Sequence, residues 1–193
     1  MRFFNKYFFI GLGSGAVLTI ALIFLAGYLL FMRAMPSPEK LEAMLRPPEF
    51  PSDQQVSVYE QTDRWSIRTL EGTEVGLSQF KGKVVFLNFW ATWCKPCVTE
   101  MSSIQNLYDY LKDEDVVFLL ISKEKKETVQ NFVEKKQFNF PVYLCADDLP
   151  NVFKSRGIPA TFILDRDGVI VFKHVGSAKW DDESCRSFLR GLM

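Results

Sequence analysis

The amino-terminal end of the chain is uniformly hydrophobic, whereas the rest alternates between hydrophobic and polar positions. Residues 7–32 form a run of 26 positions without a charged side chain. As a helix such a run spans about 39 Å, which exceeds the ~30 Å hydrocarbon core of a bilayer. The pattern predicts one transmembrane helix within residues 1–33. Arg2 and Lys6 precede it and favour a cytoplasmic amino terminus, so the rest of the chain is expected outside the cytoplasmic membrane.

A cleaved signal peptide is the alternative interpretation of this segment. The apolar core of a signal peptide is usually only about 7–15 residues long and precedes an A-x-A-like cleavage site. The run at 7–32 is longer, and we find no such site near residues 26–36. We therefore expect the segment to be retained as a membrane anchor.

Residues 34–54 separate the hydrophobic segment from the rest of the chain. Five of the nine prolines fall between Pro36 and Pro51. Because proline fixes φ and lacks a backbone N–H, a segment rich in proline is stiff and does not continue a helix or a sheet. We interpret 34–54 as a linker that leads to a domain comprising residues 55–193.

Residues 55–193 alternate between strand-like and helix-like patterns. Residues 84–90 are almost entirely apolar, which is typical of a strand buried on both faces. Residues 56–70, with turn residues at 71–73, favour an antiparallel hairpin, and the turn at 165–168 favours another. Further strands are predicted at 116–122 and 140–145, and helices at 95–112, 124–137, 148–155 and 181–192. This alternation predicts an α/β fold with a central mixed sheet, helices on both faces and an N-terminal β-hairpin extension.

The charge balance excludes one class of partner. The chain carries 23 basic and 23 acidic side chains. Nucleic-acid binding requires a basic excess gathered on one face, so the zero net charge argues against a nucleic-acid partner. Residues 1–35 contain three basic and no acidic side chains, which leaves 20 basic and 23 acidic ones in residues 36–193. The part beyond the anchor is therefore mildly acidic.

The sequence Trp93-Cys94-Lys95-Pro96-Cys97 lies between a predicted buried strand and a predicted helix. Two cysteines three positions apart can form a disulfide within the first helical turn there, so reduction requires little backbone movement. The helix amino terminus and the Lys95 cation favour the thiolate of Cys94. Pro96 suits the first turn because the N–H that it lacks would have no intrahelical partner. We expect Cys94 to attack a substrate disulfide and Cys97 to resolve the mixed disulfide.

A structural zinc site is the main alternative for a Cys-x-x-Cys pair. Zinc needs two further ligands, and the candidates Cys145, Cys185 and His174 lack a paired spacing. The transition from strand to helix also favours redox chemistry, so we expect no metal. Cys145 and Cys185 are interpreted as small buried side chains, with a bond between them or a second redox relay as alternatives. His174 is interpreted as a structural residue.

Two segments of the chain together resemble a known family. The first comprises residues 86–97, Phe-Leu-Asn-Phe-Trp-Ala-Thr-Trp-Cys-Lys-Pro-Cys, and is followed by Glu100. The second comprises residues 157–165, Gly-Ile-Pro-Ala-Thr-Phe-Ile-Leu-Asp. From about residue 65 to the carboxyl terminus the chain is similar to the membrane-anchored thiol-disulfide oxidoreductases of the TlpA/ResA type. The resemblance implies a thioredoxin-like fold and dithiol/disulfide exchange without a cofactor.

The resemblance also implies roles for individual residues. It implies a cis peptide bond between Ile158 and Pro159, which faces the cysteine pair and contacts the substrate backbone. Thioredoxin has a buried aspartate at the position of Asn88, whereas ResA-type proteins use a glutamate three residues after the second cysteine. That residue is Glu100, which is expected to receive the proton of Cys97. The expected substrate-binding residues are Trp93, Lys95, Pro96, Ile158 and Pro159.

The function that the resemblance implies is reduction of protein disulfides on the outer side of the cytoplasmic membrane. The implied electron donor is a membrane thiol transporter of the CcdA/DsbD type, and one candidate substrate is apocytochrome c before haem attachment. A thiol peroxidase is an alternative, but Leu87 and Ala91 replace the proline and threonine of the Pro-x-x-x-Thr-x-x-Cys pattern. A metal- or haem-delivery module is a further alternative function. Copper-delivery relatives, however, have one more residue between their two cysteines, and they have a distant histidine as well.

Overall fold

The computed structural model describes residues 20–30, 33, 46, 56–62, 65–145 and 148–193. Residues 20–30 are helical. The transmembrane helix predicted within residues 7–32 and the linker predicted at 34–54 lie largely outside the described residues. Within the described ranges, no helix combines the length and the apolar character that a membrane crossing requires.

One mixed sheet of eight strands forms the centre of the described domain. The strands are β1 (Val56–Ser57), β2 (Ser66–Thr69), β3 (Glu74–Gly76), β4 (Val84–Trp90), β5 (Val116–Ser122), β6 (Val142–Leu144), β7 (Ala160–Leu164) and β8 (Val169–Val175). Their order across the sheet is β1-β8-β7-β4-β5-β6-β2-β3. Strands β4, β5 and β6 run parallel, and the other neighbouring pairs are antiparallel. The predicted α/β class with a central mixed sheet is confirmed.

The N-terminal hairpin extension is confirmed in part. Strands β2 and β3 pair across a turn in which Gly72 has a φ of +96°, a conformation that glycine adopts without steric cost. Strand β1 instead pairs with β8 at the opposite edge of the sheet. Residues 56–70 therefore do not form one strand, because the 3₁₀ helix Tyr59–Gln61 interrupts them.

Three α-helices pack on the sheet in the domain. They are α1 (Lys95–Leu111), α2 (Lys126–Lys136) and α3 (Glu183–Leu192). All three contribute buried side chains to one core cluster, which lies on the same face of the sheet. Strands β4, β5 and β6 are successive parallel neighbours, and right-handed crossovers place both connecting helices on one face. The expectation of helices on both faces is therefore wrong for the described domain.

Turns and loops cover the opposite face. The second core cluster receives Val58, Leu77 and Phe153 from 3₁₀ helices and the loops beside them. The helix predicted at 148–155 is reduced to the single turn Asn151–Phe153. Pro150 begins this turn and disfavours helical conformation at the residue before it, and the chain is extended again at the next residue after Phe153.

Strand β4 positions the residues beneath the cysteine motif. All seven of its residues are buried, as the apolar run predicted. Phe86 and Trp90 pack in the cluster under α1, whereas Phe89 packs in the cluster on the opposite face. Because side chains alternate along a strand, Asn88 faces α1 together with Phe86 and Trp90. A polar side chain is thereby placed under the start of the helix that carries the cysteines.

Candidate active site

Cys94 and Cys97 form a disulfide at the start of α1, with their Cα atoms 5.3 Å apart. Cys94 is the N-cap residue, and the N–H of Cys97 donates to Cys94 Sγ at 3.3 Å. Pro96 lies in the first turn, where its missing N–H has no intrahelical partner. Cys94 keeps 4% of its surface exposed and Cys97 none, so Cys94 is the sulfur that a substrate reaches first.

The Ile158–Pro159 peptide bond lies beside this disulfide and is cis, as expected. The carbonyl oxygen of Ile158 lies 3.6 Å from Cys94 Sγ. The sheet produces this proximity, because β7 begins directly after Pro159 and its first residue, Ala160, pairs with Phe89 near the end of β4. The pairing of β7 with β4 therefore brings the cis-proline next to the cysteine motif, although about 65 residues of sequence separate them.

The predicted substrate-binding residues differ in their exposure. Trp93 is 73% exposed, and Lys95 and Pro96 are also exposed. Ile158 is half-buried and Pro159 is buried. The structure thus offers a substrate the exposed apolar side chains of Trp93 and Pro96 and the cation of Lys95, next to a mostly shielded sulfur.

Glu100 lies one turn further along α1 and is 3% exposed. Three donors reach its carboxylate: Asn88 Nδ2 at 2.9 Å, the Ala178 N–H at 3.0 Å and Trp180 Nε1 at 2.9 Å. Burial raises the pKa of Glu100 to about 7, although each of these hydrogen bonds acts to lower it. Glu100 is therefore a buried carboxyl group that exchanges a proton near neutral pH.

Asn88 supports Glu100 from the strand below. Its Nδ2 donates to Glu100 Oε1 and to Thr161 Oγ1, the latter at 2.8 Å. Its Oδ1 is buried and accepts no hydrogen bond from the described residues. The donors Ala178 and Trp180 come from the loop before α3, 78 and 80 residues away, and no motif in the sequence indicates them.

Glu124 is a further residue of the site that sequence reasoning missed. The charged run 123–127 predicts only a solvent-exposed helix start, yet α2 begins at Lys126 and Glu124 is half-buried before it. Its carboxylate accepts hydrogen bonds from the N–H of Thr92 at 2.6 Å and from Thr92 Oγ1 at 2.8 Å. Thr92 belongs to the turn that precedes Cys94, so Glu124 ties this turn to the end of β5.

The other two cysteines lie apart from each other. Cys145 belongs to the core cluster opposite the helices and Cys185 to the cluster beneath them, and neither forms a disulfide. Burial raises the pKa of the Cys185 thiol to about 12. His174 is half-buried between Phe172 and Trp180, with ring centres 6.3 and 5.8 Å away.

Among the residues that the structure describes, no three His, Cys, Asp or Glu side chains lie close enough together to hold a metal ion.

Comparison with known proteins places this site in a family. The profile of the AhpC/TSA family matches residues 58–173, which is more than half of the chain. The chain is 33% identical over 126 residues to the thiol-disulfide oxidoreductase ResA of Bacillus thuringiensis subsp. konkukian, covering 63% of this chain and 72% of that protein. It is 37% identical over 131 residues to the thioredoxin-like protein YneN of Bacillus subtilis, covering 65% and 77% of the two chains.

A solved structure shows the same fold. The crystal structure of StoA from Bacillus subtilis superimposes with a TM-score of 0.53 at 23% identity, covering 65% of this chain and 93% of that one. The family profile, the relatives and the disulfide beside a cis-proline all agree. The chain therefore belongs to the AhpC/TSA family and is a thiol-disulfide oxidoreductase with a thioredoxin-like fold.

Proposed function

We propose that this oxidoreductase reduces protein disulfides on the outer side of the cytoplasmic membrane. The observation that carries the proposal is the Cys94–Cys97 disulfide beside the cis-proline, with the buried carboxyl group of Glu100 one helical turn after Cys97. A reductant must ionise its resolving thiol in a site that water barely reaches. Glu100 supplies a proton acceptor there, since no part of Cys97 is exposed.

The proposed cycle begins with the reduced protein. The Cys94 thiolate attacks one sulfur of a substrate disulfide, a mixed disulfide forms, and the second substrate sulfur leaves as a thiolate. The Cys97 thiol then gives its proton to Glu100, and its sulfur attacks Cys94 Sγ. This step releases the first substrate sulfur and forms the Cys94–Cys97 disulfide. Two electrons pass to the substrate, whose thiolates take up protons from water.

Several groups of this chain hold the reacting atoms in place. The N–H of Cys97 faces Cys94 Sγ, and the helix amino terminus favours negative charge on that sulfur. Ile158 and Pro159 offer backbone to an extended substrate segment next to Cys94, and the exposed ring of Trp93 offers it an apolar contact. These contacts orient the substrate sulfur for attack along the line of the breaking bond.

The proposal includes a place in the cell and two partners. A transmembrane helix within residues 7–32 holds the domain at the outer face of the cytoplasmic membrane. A membrane thiol transporter of the CcdA/DsbD type returns the Cys94–Cys97 disulfide to the dithiol. Apocytochrome c, whose cysteines must be reduced before haem attachment, is the substrate that we propose first. The relatives named ResA are thiol-disulfide oxidoreductases, which supports the exchange chemistry of the proposal, and the uncharged run at 7–32 supports the placement.

The direction of the reaction is tested by the midpoint potential of the Cys94/Cys97 couple in the full-length protein in detergent. We expect a value of about −250 mV or lower, in the range of strong reductants, whereas a value near the ~−120 mV of a strong oxidant overturns the proposal. Reduction of insulin disulfides by the pre-reduced protein is the matching activity assay. Cys94→Ala abolishes it, and Cys145→Ala, which leaves the reactive pair intact, retains it.

The placement is tested by a topology fusion. Alkaline phosphatase, which folds to an active enzyme only outside the cytoplasm, is fused after Arg33 and, as a control, after Lys6. We expect activity from the first fusion and none from the second. An inactive fusion after Arg33 contradicts an outer location, and the fusion after Lys6, which lacks the run at 7–32, gives the background activity.

A further inference from the structure

An open cleft lies beside the cis-proline segment, and disulfide exchange as described above does not use it. Its volume is about 500 Å³, and it is lined by Lys154, Ser155, Arg156, Lys173 and Val175. Lys154, Arg156 and Lys173 are exposed, and Val175 leaves 45% of its surface exposed. The cleft therefore combines three cations with one apolar contact.

One wall of the cleft leads directly to the reactive sulfur. Residues 154–156 continue through Gly157 to Ile158, whose carbonyl oxygen lies 3.6 Å from Cys94 Sγ. At no more than ~3.8 Å between successive Cα atoms, Arg156 lies within about 8 Å of Ile158. A substrate chain in a mixed disulfide with Cys94 reaches this wall within a few residues.

The opposite wall of the cleft is the end of β8. Val175 pairs with Ala160, the residue after Pro159, and the N–H of Gly176 donates to the carbonyl oxygen of Pro159 at 2.9 Å. Lys173 lies two positions before Val175 on the same face of the strand. Both walls are thus fixed to the cis-proline by short stretches of sheet.

The cations of the cleft have no carboxylate partner among the described residues. The ion pairs in those ranges involve other basic residues, and Lys173 Nζ instead donates to the carbonyl oxygen of Lys154 at 3.0 Å. Residues 36–193 as a whole carry 20 basic and 23 acidic side chains. The positive charge is therefore a local property of this face.

We propose that this cleft binds an acidic segment of the substrate protein, with carboxylate side chains within a few residues of the cysteine that Cys94 attacks. The inference rests on the proposed function and adds the substrate class. Cations that lack a carboxylate partner, on walls joined to the cis-proline segment, attract such a segment and hold it during the mixed disulfide. Val175, which lines the cleft and is 45% exposed, gives an apolar side chain of the same segment a contact beside the cations.

The test uses two synthetic peptides, each closed by one disulfide. In the acidic peptide, Asp and Glu flank both cysteines; in the neutral peptide, Asn and Gln replace them. The full-length reduced protein reduces both, and kcat/KM is measured for each. We expect wild type to favour the acidic peptide by about tenfold, a preference that weakens as salt is raised.

Two double variants locate the preference. Arg156→Gln/Lys173→Gln removes two charges from the cleft, and Lys135→Gln/Lys136→Gln removes two from the last turn of α2 as a matched control. We expect the acidic-to-neutral ratio to fall to about one in the first variant and to stay near tenfold in the second. A ratio near one in wild type, or an unchanged ratio in Arg156→Gln/Lys173→Gln, overturns the proposal.

A binding measurement separates this inference from the proposed function. Fluorescence anisotropy follows labelled acidic and neutral peptides in which serine replaces both cysteines. If wild type reduces neither disulfide peptide but still binds the acidic one preferentially through Arg156 and Lys173, the proposed function fails and the cleft assignment stands. If that double variant instead loses only its binding to phosphatidylglycerol vesicles, the cleft serves an anionic lipid surface and the proposal is wrong.

Discussion

Two glutamates support the reactive pair from different surroundings. Glu100 lies under α1, is 3% exposed and is surrounded by three neutral donors from a strand and a distant loop. Glu124 lies half-buried after β5 and accepts both of its close hydrogen bonds from one residue, Thr92. Both residues are glutamates, but water reaches the carboxylate of Glu124 and is largely excluded from that of Glu100.

This difference separates two roles. Removing a carboxylate from water disfavours its charged form, and burial raises the pKa of Glu100 to about 7 despite three hydrogen bonds. Glu124 keeps contact with solvent, and its oxygens hold the backbone N–H and the hydroxyl of the turn before Cys94. In the proposed cycle Glu100 is the proton carrier, whereas Glu124 holds the turn before Cys94 through Thr92.

The largest expected effect is on stability. Glu100→Ala leaves three buried donors without an acceptor and opens a small cavity, which costs about 4 kcal/mol of unfolding free energy. Glu124→Ala frees donors that water can reach and costs about 1 kcal/mol. Urea unfolding of both variants at about pH 6 measures the two losses. Equal losses contradict the contrast between a buried and a hydrated carboxylate.

The pH dependence of stability sharpens the contrast. The pKa of Glu100 is raised from 4.5 to about 7, so the folded protein holds the proton more tightly than the unfolded chain. The resulting stabilisation is complete below pH 4.5 and is lost as pH rises through 7. At ~1.36 kcal/mol per pKa unit the loss amounts to roughly 3 kcal/mol.

Gln at position 100 removes this titration. The unfolding free energy of wild type, measured relative to Glu100→Gln, is therefore expected to fall between pH 4.5 and about 8. Glu124→Gln, as the control, keeps the slope of wild type. A wild-type slope that persists in Glu100→Gln assigns the titration to another group.

Catalysis gives a third comparison. Glu100→Gln keeps the size of the side chain but cannot accept the proton of Cys97, so we expect reduction of insulin to slow by about tenfold or more. Its rate is also expected to lose the titration near pH 7 that wild type shows. Stopped-flow rates between about pH 5.5 and 8.5 test this. A wild-type pH profile in Glu100→Gln removes Glu100 from the mechanism.

The smallest effect is expected from Glu124→Gln. One oxygen still accepts from Thr92 while the other acceptor is lost, which costs about 1 kcal/mol and loosens the turn before Cys94. We expect the reduction rate to change by no more than about threefold, with the pH profile of wild type retained. A shifted pH profile of the reduction rate in this variant would mean that Glu124 takes part in proton transfer. The two carboxylates would then not have separate roles.

The sequence predicted the parts of the site that depend on local patterns. The apolar run 84–90 indicated a strand buried on both faces, and the cysteines directly after it indicated a helix start. The resemblance to a known family added the cis bond before Pro159, which the structure confirms. Periodicity and turn residues suffice here because each feature lies within about ten residues of sequence.

The surroundings of the two glutamates were beyond such patterns. Trp180 reaches Glu100 only because the loop before α3 folds back under α1, and Glu124 reaches Thr92 only because β4 and β5 end side by side. The helix at 124–137 was predicted, but the expectation of helices on both faces was wrong for a similar reason, since the face that a crossover helix covers follows from strand order. Contacts of this kind depend on the order of the strands in the sheet. They leave no pattern of fixed residue spacing in the sequence.

The positions of the four cysteines determine how many electrons the protein exchanges. Cys145 and Cys185 lie in different core clusters, and the thiol of Cys185 is held in its protonated form by burial. In the folded domain the disulfide is therefore the Cys94–Cys97 bond, and the burial of Cys145 and Cys185 in separate clusters keeps these two from bonding to each other. Each exchange with a donor or an acceptor transfers two electrons. The redox state of the protein is therefore given by whether the Cys94–Cys97 disulfide is formed or reduced.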